Sequence, residues 1–506
     1  MSASPIEIAA AFRPASFFTR LFWFWLIGRS VVWIAAIVAS HPNAPIDLVE
    51  WLSWGGVWQW GYCKHPPLPA WLADAAASLD PGRVWPVYAL SYAILASMFV
   101  AVWKLAREYL PAPLALIAVI CQDGQIYFTN DGAEFSNNIV LDAGWAWLVF
   151  CTHRAVFRRS TGWWCGVGVA LGLMLLTKYT IGLPVLILAG FLIVTPSTRS
   201  IWRTPGPYLA AMVALAIFAP HVVWLVRHDF VTVTYASERT TEPGGWEQHF
   251  FNPGQFALGQ VLHLVPVFFI LMPLLSWKRR PESSTPERRF LAWAVLGPFV
   301  FLLMLSLTTR FALREIWGSP LWSFYGIGLL VYFRRSDAGL RLRPVAIRWA
   351  IVASLLLVYT VAKQVAGPAL TGRPERPHFP GRALGDEVNR RWTEKYGGLP
   401  PIVGGEGWRA GNVCCYSAHR PGLYSSGHMD YLAMKPEHSP WTSDADLNER
   451  GGAIVWNAEV IGNDTIDDLK SRYPGIEFQA DVELPFEIWG ERKTTRVGLA
   501  FVPPRR

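Results

Sequence analysis

Apolar runs of membrane-spanning length recur from residue 18 to residue 366, and they constrain the fold more than any other feature. A helix that crosses a bilayer needs roughly 20 mostly apolar residues. Such runs lie at 18–40, 84–106, 112–129, 138–154, 162–178, 181–195, 207–226, 254–276, 290–308, 318–333 and 346–366. They predict about eleven transmembrane helices, of which those at 181–195 and 318–333 are short. Composition agrees, since 16% of the residues are charged against about 25% in a soluble chain. The formal charge of +8 invites a nucleic-acid reading, but the basic residues do not gather into one stripe or patch. No nucleic-acid partner is expected. Six cysteines, at 63, 121, 151, 165, 414 and 415, show neither metal-ligand nor disulfide spacing. The first apolar run lacks a small-residue cleavage site and is expected to stay in the membrane as an anchor.

The basic residues set the orientation. They follow the second, fourth, sixth, eighth and tenth runs: Lys104 and Arg107; Arg154, Arg158 and Arg159; Arg199 and Arg203; Lys278, Arg279 and Arg280; Arg334, Arg335, Arg341 and Arg343. Basic loops stay on the cytoplasmic side, so the N-terminus is expected there. The loops 41–83, 130–137, 227–253 and 309–317, and everything after about 367, are then extracytoplasmic. From 367 to 506 the chain changes character. A Pro- and Arg-rich linker leads into short apolar runs such as Pro401–Gly404 and Ala453–Trp456, bounded by Gly, Pro and Asn. The expected architecture is an all-α polytopic membrane domain over 1–366 with a small α/β extracytoplasmic domain over 367–506. No inverted internal repeat, the mark of many secondary transporters, is seen.

Chemistry-bearing residues concentrate in the outer loops. The first contains Asp47-Leu48-Val49-Glu50-Trp51 and then Gly61-Tyr62-Cys63-Lys64-His65-Pro66-Pro67-Leu68. Asp is favoured at helix starts, and aromatic and basic side chains sit readily at headgroup depth. Read singly, these residues fit an interfacial loop. The second outer loop holds Asn130-Asp131 and Glu134, and Arg310, Arg314 and Glu315 cluster near 309–317. His221 lies inside an apolar run, where an ionisable residue often marks function. Asp142 inside the fourth run is expected to make a polar contact between helices.

In their order these segments resemble glycosyltransferase family 39 and its bacterial relatives. Those relatives include the lipid A aminoarabinose transferases, the rhizobial galacturonosyltransferases and the protein O-mannosyltransferases, which share the GT-C membrane fold. In that family an Asp-Glu pair opens the first outer loop, and a Gly-Tyr-x-x-(Lys/His)-Pro-Pro-(Leu/Met) turn follows. Asp47 takes the place of the catalytic aspartate and His65 that of the basic residue before the prolines. The chain departs from the pattern at Leu48, where the paired Glu is expected; Glu50, one turn on, shares a helical face with Asp47. The segments Phe135 to Leu141, Gly172 to Tyr179, and Pro220 to Trp224 with His228-Asp229-Phe230 extend the likeness over roughly 20–330. It is strongest at 47–72 and 172–230, and the tail is similar to the extracytoplasmic domains of some members.

The resemblance implies transfer of one sugar from a polyprenyl-phosphate donor to an extracytoplasmic acceptor at the inner membrane. Such a reaction needs a carboxylate to deprotonate the acceptor hydroxyl and positive charge to stabilise the departing phosphate. Asp47 is the expected general base, with Glu50 and Asp131 as further catalytic candidates. Lys64, His65, Lys178 and Arg314 are the candidates for the donor phosphate; Tyr62, Glu134, His221 and His228 are the candidates for substrate contact. Asp47, Glu50 and Asp131 are also oxygen ligands of the kind Mg²⁺ or Mn²⁺ takes. The expected acceptor is an envelope glycolipid, lipid A or lipopolysaccharide core, with a protein hydroxyl as the alternative. A lipid-linked substrate transporter or flippase is the competing reading from another class, and predicts charges near mid-membrane and discontinuous helices.

Overall fold

The structure, a computed structural model, describes residues 14–240, 245–276, 285–309, 311–335, 342–371, 376–425, 432, 434, 439, 441–460, 463–488 and 491–505. Lys278, Arg279, Arg280, Arg310 and Arg341 lie outside these described residues. Every apolar run corresponds to helix. The first long one is α1 (Ala15–Ser40); α2 (Ile46–Gly55) and α3 (Leu68–Ala77) are short and belong to the first outer loop. There follow α4 (Trp85–Tyr109), α5 (Ala112–Ile120), α6 (Asn137–Phe157), α7 (Thr161–Leu175) and α8 (Gly182–Val194). The membrane domain is completed by α9 (Gly206–Arg227), α10 (Val231–Thr240), α11 (Gln248–Leu271), α12 (Pro286–Thr309), α13 (Tyr325–Phe333) and α14 (Leu342–Thr371). Six helices among the described residues, those at α1, α4, α9, α11, α12 and α14, are long and apolar enough to cross a membrane. The last of them continues to Thr371, past the domain boundary expected at 366.

Two of the expected crossings are broken. Helix α5 stops at Ile120 and gives way to 3₁₀ turns at Cys121–Gly124, Ile126–Phe128 and Asn130–Ala133. Likewise α13 is preceded by a 3₁₀ segment, Glu315–Trp322, that contains Gly318 and Pro320. The runs 112–129 and 318–333 are therefore not continuous α-helices. A helix of nine residues spans only about 14 Å, and broken backbone at membrane depth is tolerated only where protein satisfies it. Here side chains of the first break satisfy carbonyls of the second. The Gln122 side-chain amide donates to the carbonyls of Ser323 at 2.6 Å and Trp322 at 3.2 Å, and Gln125 donates to Gln122 Oε1 at 2.9 Å. Helices α5 and α13 pack so closely that a Cβ at Gly326 would lie 2.5 Å from the Ala118 carbonyl oxygen.

A buried ion pair anchors the first break. Arg29 on α1 donates through Nε to Asp123 Oδ1 at 2.5 Å, and to the Phe128 carbonyl. Trp25 and Trp349 each donate an indole N–H to Asp123 Oδ2 at 2.9 Å. One carboxylate thus joins α1, α14 and the broken segment. Asp142 on α6 meets the second break, accepting from Ser319 Oγ at 2.7 Å.

The loops segregate to two ends. Glu108 pairs with both Arg154 and Arg158, the Tyr109 hydroxyl donates to the Glu287 carbonyl, Phe191 packs on Phe290, and Ser276 donates to the Phe333 carbonyl. The loops expected to be cytoplasmic therefore share one end. At the other end sit α2, α3, the 130–136 turn, α10 and the C-terminal domain. That domain begins with α15 (Gly381–Tyr396) and continues through β1 (Ile402–Gly405), α16 (Gly407–Tyr416), β2 (Gly422–Ser425), α17 (Asp444–Arg450) and β3 (Gly452–Asn457). It ends with α18 (Asn463–Arg472), β4 (Glu477–Phe478), β5 (Val482–Ile488) and β6 (Glu491–Val502). The sheet runs β2-β1-β3-β6-β4 with β5 also paired to β6; β1 is parallel to β2 and β3, and the rest is antiparallel. The expected small α/β domain is present, built on a core of Ile402, Tyr424, Leu447, Ile454, Tyr473 and Ala500 on one face of the sheet.

Removing one partner of a buried ion pair costs about 3–5 kcal/mol because the other charge is left uncompensated. Asp123→Ala is accordingly expected to lower the thermal unfolding midpoint in detergent far more than the apolar double replacement Arg29→Met, Asp123→Leu. Equal losses in the two variants would show that packing, not charge, holds this junction.

Candidate active site

The first outer loop is shaped by its prolines. Pro45 opens α2, where a missing N–H and a fixed φ suit the first turn of a helix. The chain then turns through Tyr62–His65, with the Tyr62 N–H donating to the His65 carbonyl at 3.0 Å, and Pro66-Pro67 leads into α3. The Leu68 N–H donates to the Leu176 carbonyl at 2.9 Å, which ties this turn to the end of α7 and brings Lys178 beside His65.

These pieces enclose a cavity of about 290 Å³. Asp47 and Glu50 from α2 line it with Lys64, His65 and Pro66, Asn137 and Asn138 from the first turn of α6, Lys178, and Tyr235 and Arg239 from α10. Trp317, on the second broken segment, closes a side. A small apolar cleft adjoins it, sharing Asn138, Lys178, Thr180 and Trp317 and reaching Leu183 and Pro184 on α8 and Leu302 on α12. The cavity thus has a charged chamber at the outer end of the bundle and an apolar exit between membrane helices.

Its charges are arranged in two groups. Lys64 is hydrogen-bonded to Glu50; although burial opposes it, that carboxylate holds the ammonium above its usual range. Lys178 Nζ donates to Asn138 Oδ1 at 3.1 Å and lies 5.0 Å from the Trp317 ring centre, with no ion pair among the described residues. Arg239 is exposed on the cavity roof and forms no ion pair among the described residues. Burial lowers the His65 imidazole well below its ordinary value, and the charges of Lys178, Lys64 and Arg239 reinforce this. His65 is therefore neutral, a hydrogen-bonding group rather than a cation. Asp47 is pushed up to about 8, first by burial and then by the Glu134 and Glu50 carboxylates, with Lys64 and Lys178 opposing. Glu134 is also raised by burial, and it accepts the Asp47 backbone N–H at 3.3 Å.

The other candidates lie elsewhere. Tyr62 is buried, donates to the Val57 carbonyl at 3.0 Å and packs between Trp54 and Trp441. His221 is buried between Tyr179 Oη at 2.6 Å and the Trp60 carbonyl at 2.5 Å, so it fastens α9 to the first outer loop. His228 stacks on Trp224 with ring centres 4.1 Å apart. Arg314 is exposed and does not line the cavity, although Ile316 and Trp317 beside it do. Asp131 is hydrogen-bonded to Asn130 and faces Glu134 and His263 instead. Asp47, Glu50 and Asp131 thus form no joint ligand set, and no group of three potential ligands is close enough for a metal ion among the described residues. Sequence reasoning missed Asn137, Asn138, Tyr235 and Arg239. The signal for Arg239 was its place on an outer loop, where the positive-inside rule disfavours arginine.

Comparisons with known proteins bear on the fold and class of the chain. Residues 64–224 match the family model described as dolichyl-phosphate-mannose-protein mannosyltransferase. Over 272 residues the chain is 24% identical to the lipid A galacturonosyltransferase RgtD of Rhizobium johnstonii, covering 52% of this chain and 55% of that relative. The match spans about half the length of the curated relative. Among solved structures, ArnT from Cupriavidus metallidurans bound to undecaprenyl phosphate superposes with a TM-score of 0.65 at 15% identity, over 97% of this chain and 99% of that one. Its apo form gives 0.64 at 14% identity, over 97% of this chain and 98% of that one. The chain has the GT-C fold. The resemblance to GT-C glycosyltransferases read from 47–72 and 172–230 is borne out, and the matched family model begins within the Lys64-His65-Pro66-Pro67 turn.

A like charge raises a carboxyl pKa and an ammonium lowers it. Glu134→Gln is therefore expected to lower the pH at which Asp47 ionises, and Lys64→Met to raise it. Infrared difference spectra of the protonated-carboxyl band across a pH titration, with Asp47→Asn to assign the band, check both directions.

Proposed function

We propose that this protein is an integral membrane glycosyltransferase that moves one sugar from a polyprenyl-phosphate donor to an extracytoplasmic acceptor, with Asp47 as general base. The observation that carries the reading is the cavity itself. A half-buried acidic group, Asp47, shares the cavity with two cations that form no ion pair among the described residues, Lys178 and Arg239, beside an apolar cleft between α8 and α12. A sugar attached to a lipid phosphate has matching parts: an apolar chain for the cleft, a phosphate for the cations, and an anomeric carbon for the chamber.

In this mechanism the Asp47 carboxylate takes the proton of the acceptor hydroxyl while that oxygen attacks the anomeric carbon. The carbon–oxygen bond to the phosphate breaks, and the lipid phosphate leaves with the bonding electrons. Attack from the side opposite the phosphate inverts the anomeric centre. Lys178 and Arg239 stabilise the charge that grows on the leaving oxygen, and neutral His65 donates a hydrogen bond. Lys64 is paired with Glu50 and so adds little net charge to the chamber. A carboxyl raised toward working pH is well matched to this task, because proton-transfer catalysis is most effective near the operating pH.

An envelope glycolipid such as lipid A is the proposed acceptor, in keeping with the name of the curated relative, and an undecaprenyl-type carrier is the proposed donor lipid, in keeping with the ligand of the solved relative. The basic end of the bundle is assigned to the cytoplasm, which puts the cavity and the C-terminal domain in the periplasm of the inner membrane. The transport reading gains two features, the discontinuous helices and the buried charges of Arg29, Asp123 and Asp142. Those charges are taken up in joining the broken segments to α1 and α6, and none of the three lines the charged cavity, which favours surface chemistry.

Loss of a general base costs on the order of 10²–10⁴-fold in rate. Asp47→Asn is expected to abolish measurable transfer by purified protein that still unfolds at the wild-type temperature, whereas Lys178→Met and Arg239→Gln raise the KM for donor. The transfer rate of the wild type should climb with pH as Asp47 ionises and fall again as Lys178, which burial lowers to about 8, loses its proton; the climb should move to lower pH in Glu134→Gln. Mass spectrometry of envelope glycolipids with and without the gene identifies the sugar; an unchanged glycan profile would turn the reading toward transport.

A further inference from the structure

The two faces of α2 do different things. Asp47 and Glu50, about one helical turn apart, line the cavity. Val49 and Ser53, also about one turn apart, meet the C-terminal domain through its helix α16. Every residue of α16 is buried, and a Cβ at Gly411 would lie 2.8 Å from Val49 Cγ1, so the Val49 side chain packs directly on the α16 backbone. Other contacts fasten the ends of the same loop to the same domain. The Ala44 N–H donates to the Tyr416 hydroxyl at 2.8 Å, and the Asn43 N–H to the Pro377 carbonyl at 3.0 Å. Trp441 packs on Tyr62 at 5.1 Å between ring centres, and Arg420 pairs with Asp74 on α3. On its cavity side α2 is held by less: the Asp47 N–H to Glu134, and Glu50 to Lys64.

We propose that the C-terminal domain is a positioning element of the active site, in which α16, through Gly411, sets the depth at which α2 presents Asp47 and Glu50 to the cavity. Gly411 is a positioning residue: it touches no substrate and acts through Val49. The absence of a side chain at 411 is what lets α2 sit where it does. Alanine favours helix more than glycine does, so a methyl group at this position strengthens α16 locally while pushing α2 toward the cavity. The inference rests on the proposed role of Asp47.

The test compares Gly411→Ala, Val49→Ala and the double variant in the purified full-length protein. Displacing a catalytic group by about 1 Å can cost roughly 100-fold in rate. Gly411→Ala is expected to lower kcat at least tenfold, toward that value, with donor KM and unfolding temperature unchanged. Val49→Ala removes the atom the new methyl group meets, so the double variant should regain most of the lost kcat. An unaltered kcat in Gly411→Ala, or a loss that Val49→Ala does not relieve, overturns the proposal. A readout independent of turnover separates this from failure of the transferase reading. The infrared titration of Asp47 should shift in Gly411→Ala and return in the double variant whatever reaction the site performs, and no shift overturns the positioning role.

Discussion

Lipid offers no hydrogen bonds to an exposed peptide group, so any interruption of a membrane helix must be repaired from within the protein. This chain carries two such interruptions among the described residues, and side chains of the first repair carbonyls of the second. Gln122 and Gln125 follow the end of α5 and reach the carbonyls of Trp322 and Ser323, just where the second segment approaches α13. Much of the functional end follows from that match. Because residues 315–322 are not an extended α-helix, Trp317 can turn to close the cavity while Ser319 meets Asp142 on α6. The turn at 121–124 lets Asp123 gather Arg29, Trp25 and Trp349, which fixes α1 and α14 around the break.

Within the cavity, electrostatics divide the work between pairs. Glu50 and Lys64 neutralise each other, so the net field at the centre is set by Asp47, Glu134, Lys178 and Arg239. A half-buried Lys178 ammonium is costly, and among the described residues its side chain is hydrogen-bonded to an amide oxygen and faces an aromatic ring, with no ion pair. A phosphate is the countercharge such a group can take. Glu134 has the opposite character: it accepts the Asp47 backbone N–H, and its carboxylate disfavours ionisation of the Asp47 carboxyl. The chamber thus brings together like charges of both signs, and an anionic substrate near the cations offsets one of them.

The architecture was legible in the sequence because apolar length and charge alternation report directly on the bilayer. All eleven runs became helical segments, and the basic loops share one end. What hydropathy did not report is continuity: the window over 112–129 averages away Gln122, Asp123 and Gly124, the residues that end α5. For the site, residue type plus order identified Asp47, Glu50, Lys64, His65 and Lys178, all of which line one cavity. Tyr62, His221 and His228 were drawn from equally suggestive segments, yet Tyr62 turns between Trp54 and Trp441, His221 into the packing between α9 and the outer loop, and His228 onto Trp224. Side-chain direction within an irregular loop follows from tertiary contacts, and no periodicity in the sequence encodes it. The same limit hid Asn137 and Asn138, whose exposure to the cavity depends on where α6 begins.

Arg239 shows how far local rules bend to hold a cavity roof. Between α9 and α10 the chain reverses through Asp229 and Phe230, both in the left-handed region at φ 51° and 55°. Asp tolerates that conformation, but for Phe it is a strained state, of order 1–3 kcal/mol. The strain persists because α10 is pinned at both ends. Near its start the Thr232 hydroxyl donates to the Tyr62 carbonyl at 2.8 Å, and at its end the Thr240 carbonyl accepts the Ala312 N–H at 2.9 Å. A relaxed turn would release α10 from the Tyr62 loop and carry Tyr235 and Arg239 away from Lys178. The strained pair is therefore part of what keeps a second cation over the cavity.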